Sequence, residues 1–299
     1  MITASIGIMA YNEANNIGQL LERLCLQRTK KSVIKEIIVI ASGCTDGTYK
    51  IIKQKIIKDQ RIKLIIQNRR LGKASAINIF IQKAESPILV MISADTLPCP
   101  DTIEELLAPF INPRVGITSA QIISINQPNS FMGYFMKTFW ELHHQAAKEA
   151  FKGGELIAWK NVVEMIDPET SADETNIAGL IFSKKFKAVY VPRALVYNCG
   201  PTSVSDYILM RRRQIAGHYH LREVVHLSYL PPTLNNIFAL RLYLKFIRPK
   251  NLKQMIWFMG IIPLEVVSRI LAWYDWRSKG EHYPIWPIAK STKKLPEII

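Results

Sequence analysis

Ile88-Leu89-Val90-Met91-Ile92-Ser93-Ala94-Asp95-Thr96-Leu97-Pro98 is the stretch on which the reading of the whole chain turns. Its first five residues are all apolar. An unbroken apolar run of that length reads as a strand buried on both faces, as in a parallel sheet covered by helices. Ser93, Ala94 and Asp95 follow at once, and Pro98 marks a turn. A carboxylate just past the carboxyl end of a buried parallel strand stands where open α/β sheets bind ligands. Two readings of Asp95 are open on this stretch alone. It caps a helix over residues 102–108 or breaks the strand, as Asp often does in turns, or it holds a divalent metal on a nucleotide diphosphate.

Upstream, strands and helices alternate. Ser5 to Met9 reads as a strand, and Asn15 to Cys25 as a helix with Ile17, Leu20, Leu21 and Leu24 on one face. Glu36 to Ala41 is a second buried strand, followed by a turn over residues 43–46 and a helix over 48–58. A strand over 61–67 and a helix over 73–84 lead into the opening stretch. This order predicts an α/β fold, Rossmann-like, with a mainly parallel sheet and helices on both faces. Downstream, residues 116–124 read as a strand and 131–151 as a long helix carrying Trp140, His143 and His144. A turn at Gly153-Gly154 leads into a strand through Trp159, and the acidic run 169–174 opens a helix to Phe182. A strand over 188–197, broken by Pro192, and a basic helix over 204–218 complete this part.

The chain has 299 residues and a net charge of +15. With 48% hydrophobic and 21% charged residues it is neither disordered nor a polytopic membrane protein. Its four cysteines form no C-x-x-C pair, which speaks against a zinc site. Met1 runs straight into an ordinary strand, so a signal peptide is not expected and a cytoplasmic, reduced protein is. The positive charge suits nucleic acid, an anionic membrane face or anionic substrates. Its distribution favours the membrane: Arg241, Lys245, Arg248, Lys250 and Lys253 interleave with Leu242, Tyr243, Leu244, Phe246 and Ile247. Residues 255–274 are mostly apolar, with Pro263, Glu265 and Arg269 inside. A charge at the centre of a span costs roughly 2.5–3.5 kcal/mol, and Glu265 and Arg269, four apart, are placed to pair. Amphipathic or hydrophobic helices lying in the interface are expected, with a true span or ordinary core packing as alternatives. The expected division is residues 1–225 as the α/β domain and 226–299 as a helical membrane-associating segment.

Six short segments now stand in an informative order. They are Ala10-Tyr11-Asn12-Glu13, residues 41–48 (A-S-G-C-T-D-G-T), residues 69–78 (R-R-L-G-K-A-S-A-I-N), Ser93-Ala94-Asp95, residues 172–177 (A-D-E-T-N-I) and residues 211–218 (R-R-R-Q-I-A-G-H). Together they resemble family 2 glycosyltransferases of the GT-A fold, over about residues 4–220. The resemblance implies an inverting, metal-dependent hexosyltransferase that uses a nucleotide-diphosphate sugar. Asp95 is then the ligand of Mg²⁺ or Mn²⁺, with Ser93 where the family's Asp-x-Asp motif has its first Asp. Ala10, Tyr11, Glu13, Ser42, Lys73, Ser93, Ala94, Arg211 and Arg213 are expected around the nucleotide sugar. The family's acidic positions after the second strand are Ala41 and Ser42 here, and Ser42 can still hydrogen-bond a uracil edge, so a UDP-sugar is favoured. Lys73 follows Gly72 at a helix start, a favourable place for an anion.

Glu174 takes the place of the family's base, with Asp173 as second choice. Arginines at 211–213 suit a departing diphosphate. Processive members carry Gln-x-x-Arg-Trp where Met210, Arg213 and Gln214 stand, so a non-processive enzyme is implied. Trp140, His143 and His144 share one helix face and, with Trp159, are the acceptor-side candidates; core packing is their alternative. A lipid or lipid-linked acceptor at the cytoplasmic, inner surface of the cell membrane follows from the basic, aromatic C-terminal part. Nucleic acid is not an expected partner, and a catalytically silent nucleotide-sugar or membrane-binding module is the alternative function.

Overall fold

The structure is a computed structural model and describes residues 1–293. Eight strands form one sheet: β1 (Ile2–Ala10), β2 (Ser32–Ser42), β3 (Ile62–Gln67), β4 (Ile88–Ile92), β5 (Thr96–Pro98), β6 (Val115–Ser124), β7 (Leu156–Lys160) and β8 (Lys187–Asn198), in the order β3-β2-β1-β4-β7-β6-β8-β5. Helices α1 (Ile17–Cys25), α2 (Thr48–Lys58), α3 (Lys73–Lys83), α4 (Thr102–Leu107), α5 (Phe131–Glu149), α6 (Asp173–Ser183) and α7 (Val204–Glu223) cover it. Two more, α8 (Asn236–Phe246) and α9 (Leu252–Lys279), follow.

The first half is parallel, as the alternation predicts: β1 pairs with β2 on one side and β4 on the other, and β2 pairs with β3. Residues 88–92 are buried throughout. The chain therefore reverses its order beside β1, which opens a crevice at the carboxyl ends of β1 and β4. Gly7 belongs to this packing, because a Cβ there would meet the Phe80 ring of α3 at 2.6 Å. Glu36, the one carboxylate buried in β2, accepts from Ser5 Oγ at 2.6 Å and the Glu85 amide at 3.0 Å, and pairs with Lys63 at 2.7 Å.

The second half is mixed. β7 runs antiparallel to β4 and β6, β6 is parallel to β8, and β5 is antiparallel to β8. Two local expectations change. Pro98 ends a short edge strand rather than a turn, where its missing N–H costs nothing. β8 passes through Pro192 because a register shift between Ala120 and Gln121 absorbs residues 192–194. Helix α4 is present, but its N-cap is Asp101 and β5 separates it from Asp95. That removes the capping reading of Asp95.

Helices α8 and α9 pack on the α/β part and also expose apolar faces. Glu265 and Arg269 do not pair with each other. Glu265 takes Arg211 at 2.8 Å, while Arg269 donates to the Thr233 and Leu234 carbonyls at 3.0 and 3.4 Å. Asp275, fully buried, accepts from Arg212 Nε and Nη2 at 2.7 Å each and from the Tyr283 hydroxyl at 2.7 Å. Removing one partner of such a pair leaves the other desolvated and uncompensated. Asp275→Asn is therefore expected to cost about 3 kcal/mol, read as a lower urea midpoint at unchanged slope. By length and composition α9 suffices to cross a membrane, and Ile256, Met259 and Ile270 on it are each more than half exposed.

Candidate active site

A cavity of ≈ 290 Å³ lies in the crevice at the ends of β1 and β4. The loop after β1 forms one wall. Asn12 adopts a left-handed conformation (φ 52°), which Asn tolerates, and its side chain joins Thr45 across the loop. The Glu13 carbonyl accepts from the Asn16 and Ile17 amides and so starts α1. The Glu13 side chain turns into the cavity and contacts the Lys293 ammonium. Arg70 stacks on the Tyr11 ring, 4.2 Å from its centroid. Ser42 donates to Gln67 Oε1 at 2.6 Å, and Gln67 in turn donates to Ser75 at 2.8 Å. Asp46 serves the turn before α2: it accepts from the Thr48 and Ala14 amides at 3.0 Å each.

Ser93, Ala94 and Asp95 line the floor with Ala10. The Ser93 amide donates to the Glu155 carbonyl at 3.0 Å, which brings the start of β7 beside the end of β4. Burial, and then the charge of Glu13, push the Asp95 carboxyl up to about 6. Glu155 is raised too, by burial and then by Asp95. On the other side α6 presents Asp173 and Glu174 from its first turn. Asp173 is fully buried against the Lys73 ammonium at 2.5 Å, whereas Glu174, at 3.2 Å from that ammonium, keeps its side chain 24% exposed to the cavity. Burial, followed by the Asp173 charge, raises Glu174 to about 7. Burial opposes the charge on Lys73, but Asp173 and Glu174 outweigh it and hold this lysine above the usual range.

The arginine triplet separates into three tasks. Arg211 reaches the cavity wall but is committed to Glu265 and to Gln214 Oε1 at 2.9 Å. Arg212 turns away to Asp275. Arg213 alone offers its guanidinium to the carboxylates; its buried Nε has no hydrogen-bond partner among the described residues, and burial lowers it to about 10. A strap over residues 281–293 closes this end. Trp286 lies under Arg213, with the guanidinium carbon 3.5 Å from a ring centroid, and Lys73 stands 4.9 Å from it. Arg70 donates to the Trp286 carbonyl, Lys293 donates to the Tyr11 carbonyl at 2.9 Å, and the Ser291 amide donates to Asp206 at 2.9 Å. Gly72 (φ +90°) lets the strap pass, since a Cβ there would sit 2.5 Å from the Pro284 carbonyl oxygen.

The far wall comes from α5. Trp140 donates to Asn198 Oδ1 at 3.3 Å, and His143 Nε2 contacts the Gly153 carbonyl at 2.9 Å; both line the cavity. Burial drives His143 down to about 3, so it is neutral. His144 does not join them: its ring bonds the Tyr190 hydroxyl at 2.6 Å, off the cavity. Trp159 is wholly buried in β7, edge-on to Phe80 with centroids 6.2 Å apart. These two expectations are corrected by the pleat and the helix turn, which aim the side chains into packing. The remaining site candidates converge.

One end of the cavity gathers Glu13, Asp95, Glu155, Asp173 and Glu174 with Lys73, Arg213 and Lys293. Five carboxylates against three cations leave an excess of two negative charges. Asp95 and Glu155 both line the cavity, the Asp95 charge raises the Glu155 carboxyl, and both are hard oxygen donors, so these are the residues that would hold a divalent cation of the Mg²⁺ or Mn²⁺ type. Among the described residues no cluster of three or more His, Cys, Asp or Glu forms a closed metal cage; water and a phosphate would complete the shell. Sequence reasoning missed Glu155, Lys152, Trp286 and Lys293 as cavity residues. Glu155 had a weak signal, a carboxylate leading an apolar strand after two glycines. Trp286 and Lys293 had none, because their partners lie more than seventy residues away at the nearest.

Trp286 holds two cations in place, so its loss should act on anion binding. Trp286→Ala is expected to raise the KM for an anionic substrate about tenfold, the scale of one desolvated cation–π contact plus the order it imposes, with a smaller change in kcat. Trp286→Phe should recover most of the loss.

The family model described as Glycosyl transferase family 2 matches residues 5–159, just over half of the chain. An undecaprenyl-phosphate 4-deoxy-4-formamido-L-arabinose transferase of Proteus mirabilis is 30% identical over 105 residues, 35% of this chain and 32% of that protein. A dolichyl-phosphate beta-glucosyltransferase, ALG5C, of Trichomonas vaginalis is 27% identical over 104 residues, 33% of this chain and 31% of that one. The matched region thus spans about a third of the length of these curated relatives. Among solved structures, the mannosyltransferase PcManGT from Pyrobaculum calidifontis in complex with GDP-Man and Mn²⁺ superposes with a TM-score of 0.60 at 22% identity, covering 94% of this chain and 84% of that one. That likeness is one of fold.

Proposed function

Since the chain belongs to glycosyl transferase family 2 and has the GT-A fold, we propose that it moves a sugar, with inversion, from a nucleotide-diphosphate sugar to a membrane lipid or lipid-linked acceptor. The observation that carries this reading is that Asp95 and Glu174 line one cleft. Asp95 with Glu155 would hold a divalent cation, which neutralises charge on the leaving diphosphate when bound. Lys73 and Arg213 meet the same diphosphate as fixed cations. Tyr11, Glu13 and Ser42 border the nucleoside. Ser42 spends its hydrogen on Gln67 and keeps lone pairs for a uracil N–H, so uridine is the base of choice.

Glu174 accepts the proton of the attacking acceptor hydroxyl. The acceptor oxygen bonds to the anomeric carbon from the face opposite the diphosphate. The bond from that carbon to the diphosphate oxygen breaks, and its electron pair leaves with the nucleoside diphosphate. Asp173, held by Lys73, orients this turn and stays out of the proton transfer.

Support for a lipid acceptor comes from three sides. Two relatives are named for undecaprenyl-phosphate and dolichyl-phosphate. Exposed Leu240 and Leu244 on α8 and Ile256, Met259 and Ile270 on α9 form apolar faces beside Arg241, Lys245, Arg248, Lys250 and Lys253. Such a surface binds an anionic leaflet, here the cytoplasmic side of the cell membrane. Residues 226–293 are then both the membrane-facing part and, through the strap, a wall of the site. The test is a thermal-shift and turnover screen of nucleotide sugars with Mn²⁺ and with Mg²⁺. Metal-dependent stabilisation and release of nucleoside diphosphate are expected. Stabilisation without turnover under any lipid acceptor would leave a silent binding module, and neither effect with any donor would reject the reading.

A further inference from the structure

Length and composition allow α9 to cross a bilayer but do not say how it meets one. Its two sides do. At about 100° per residue, Ile256, Met259, Ile262, Val266, Ile270 and Trp273 fall within an arc of about 120°, and each is more than a third exposed. From Leu252 to Tyr274 no charged residue falls in that arc. At 1.5 Å per residue the six span about 25 Å.

The opposite side is taken by the α/β domain over the same length. Near the start, Trp257 packs against Phe131 and Tyr134 of α5, with ring centroids 6.5 and 5.8 Å apart. In the middle, Glu265 holds Arg211 of α7 at 2.8 Å. Near the end, Asp275 holds Arg212 of α7 at 2.7 Å, and the Trp276 indole donates to Glu223 at 2.9 Å. Ile261, Ser268, Ala272 and Asp275 are buried along this side.

A crossing helix has its ends on opposite faces of the membrane. Both ends of α9, and its middle, are fixed to one body. Crossing would either draw α7 into the hydrocarbon with its arginine triplet, Asp206, Arg222 and Glu223, or strip α9 away from it. Stripping would leave Arg211 and Arg212 without their carboxylates and set Glu265 and Asp275, unpaired, among acyl chains.

Resting on the membrane-acceptor reading above, we propose that α9 is a monotopic anchor: it lies flat in one leaflet, with its apolar arc among the acyl chains and its ion-paired side toward the domain. Charge selects lipid over a second copy of the chain as the occupant of this face. Arg248, Lys250 and Lys253 stand at the start of the arc. Arg277 and Lys279, each more than half exposed beside Glu223 and Asp275, stand at its end. With both ends basic, two copies packed along the arc in either direction bring like charges together. Anionic headgroups meet both ends at once, and long basic side chains reach them from the acyl boundary.

Two measurements on the full chain test this. In the first, the purified protein is floated with vesicles of phosphatidylcholine, with and without phosphatidylglycerol. Binding to the anionic vesicles is expected, and the double variant Ile256→Glu, Ile270→Glu should weaken it at least about tenfold, because two inserted side chains become charges that the leaflet repels. Both positions are more than half exposed, so the melting temperature should not fall, which separates a lost surface from a lost fold. In the second, Lys253→Cys and Ser278→Cys, both at exposed positions, are made singly. Each is labelled with a membrane-impermeant maleimide in inside-out vesicles of the expressing cells, against wild type as the background for the native cysteines. Labelling of both ends from the cytoplasmic side is expected. Labelling of one end there and of the other only in vesicles of opposite orientation is a span, and overturns the proposal. Vesicle binding unaltered in the double variant overturns the arc as the contact. A lipid-free dimer that the double variant dissociates, with no vesicle binding by wild type, gives the arc to a second copy and overturns the anchor. Neither measurement uses a sugar donor, so the anchor can fail while the transferase reading stands, and failure of every donor to bind would refute that reading and leave the anchor in place.

Discussion

Glu174→Gln is expected to lower kcat by about 10²–10⁴-fold, the range that positioned general bases supply, while leaving donor affinity within a few-fold. The variant keeps the shape of the side chain and removes only its ability to take a proton. Donor affinity is spared because the nucleotide end is built by other groups: Tyr11, Ser42, Asp95 and Arg213. One local adjustment follows, since Lys73 contacts both Asp173 and Glu174 and retains the former at 2.5 Å. The pH profile offers an independent check. Glu174 is raised to about 7 by burial and then by Asp173. A base works only when deprotonated, so kcat should be low in acid and rise as pH passes through about 7, with that limb absent in the glutamine variant. Asp173→Asn should behave differently. It strips Lys73 of its buried partner, so it should lower stability as well as rate. If Glu174→Gln turns over at the wild-type rate, the base is another group.

Asp95→Ala is expected to reduce kcat/KM by at least about 10²-fold, the loss typical of removing a fixed electrostatic contact to a leaving group, and to abolish the response to Mn²⁺ and Mg²⁺. Metal titration followed by donor binding reads this directly. Asp95 sits at about 6, through burial and then Glu13. Protons therefore compete with the cation, and metal-dependent donor binding should weaken as pH falls through about 6. The sign for stability is opposite to that for activity. A carboxyl whose folded pKa lies above its unfolded value binds protons more tightly when folded, so its contribution is fully present below the unfolded pKa and is lost as pH rises through the folded one. At pH 7 to 8 the empty protein pays for Asp95, and Asp95→Asn should melt slightly higher than wild type in the absence of metal. A variant that is inactive yet more stable is the signature of a residue kept for chemistry. Glu155→Gln should show a weaker version of both effects. Full activity in Asp95→Ala would reject its role.

Much of this site was legible because the relevant signals are local. The apolar run Ile88 to Ile92 reads as a strand covered on both sides, and the residue that follows such a strand is placed at the crevice by the topology. The same logic located Ala10 to Glu13 after β1 and Glu174 in the first turn of α6. Each is set by its neighbours in sequence, so each survived folding where the pattern put it. Trp140, His143 and His144 show where this logic ends. Helical spacing puts them on one side of α5, but which neighbour each one meets depends on β8 and the 152–155 loop. His144 went to Tyr190, and His143 to Gly153. Trp159 obeyed the alternation of β7 and pointed into the core.

Long-range pairing was invisible in the chain. Three adjacent arginines look equivalent in sequence, yet Arg211 meets Glu265, Arg212 meets Asp275 and Arg213 is left for the cleft. A helix turns by about 100° per residue, so consecutive side chains face different surroundings. Glu265 and Arg269 show the converse, since the spacing that allows a pair does not compel one when better partners are brought by another helix.

What the sequence alone determined, then, was the α/β alternation, the crevice at the end of residues 88–92 and the place of Asp95 beside it, because periodicity and strand ends are properties of neighbouring residues, while Glu174 was pointed to by the family resemblance of its segment. Only the tertiary structure decided which charges are spent and which remain free. It brought Glu155 to Asp95, gave Lys73 to Asp173, left Arg213 for the cleft, and drew Trp286 and Lys293 back across the nucleotide end. Those outcomes depend on distance through space and on burial, and neither is written in the order of the residues.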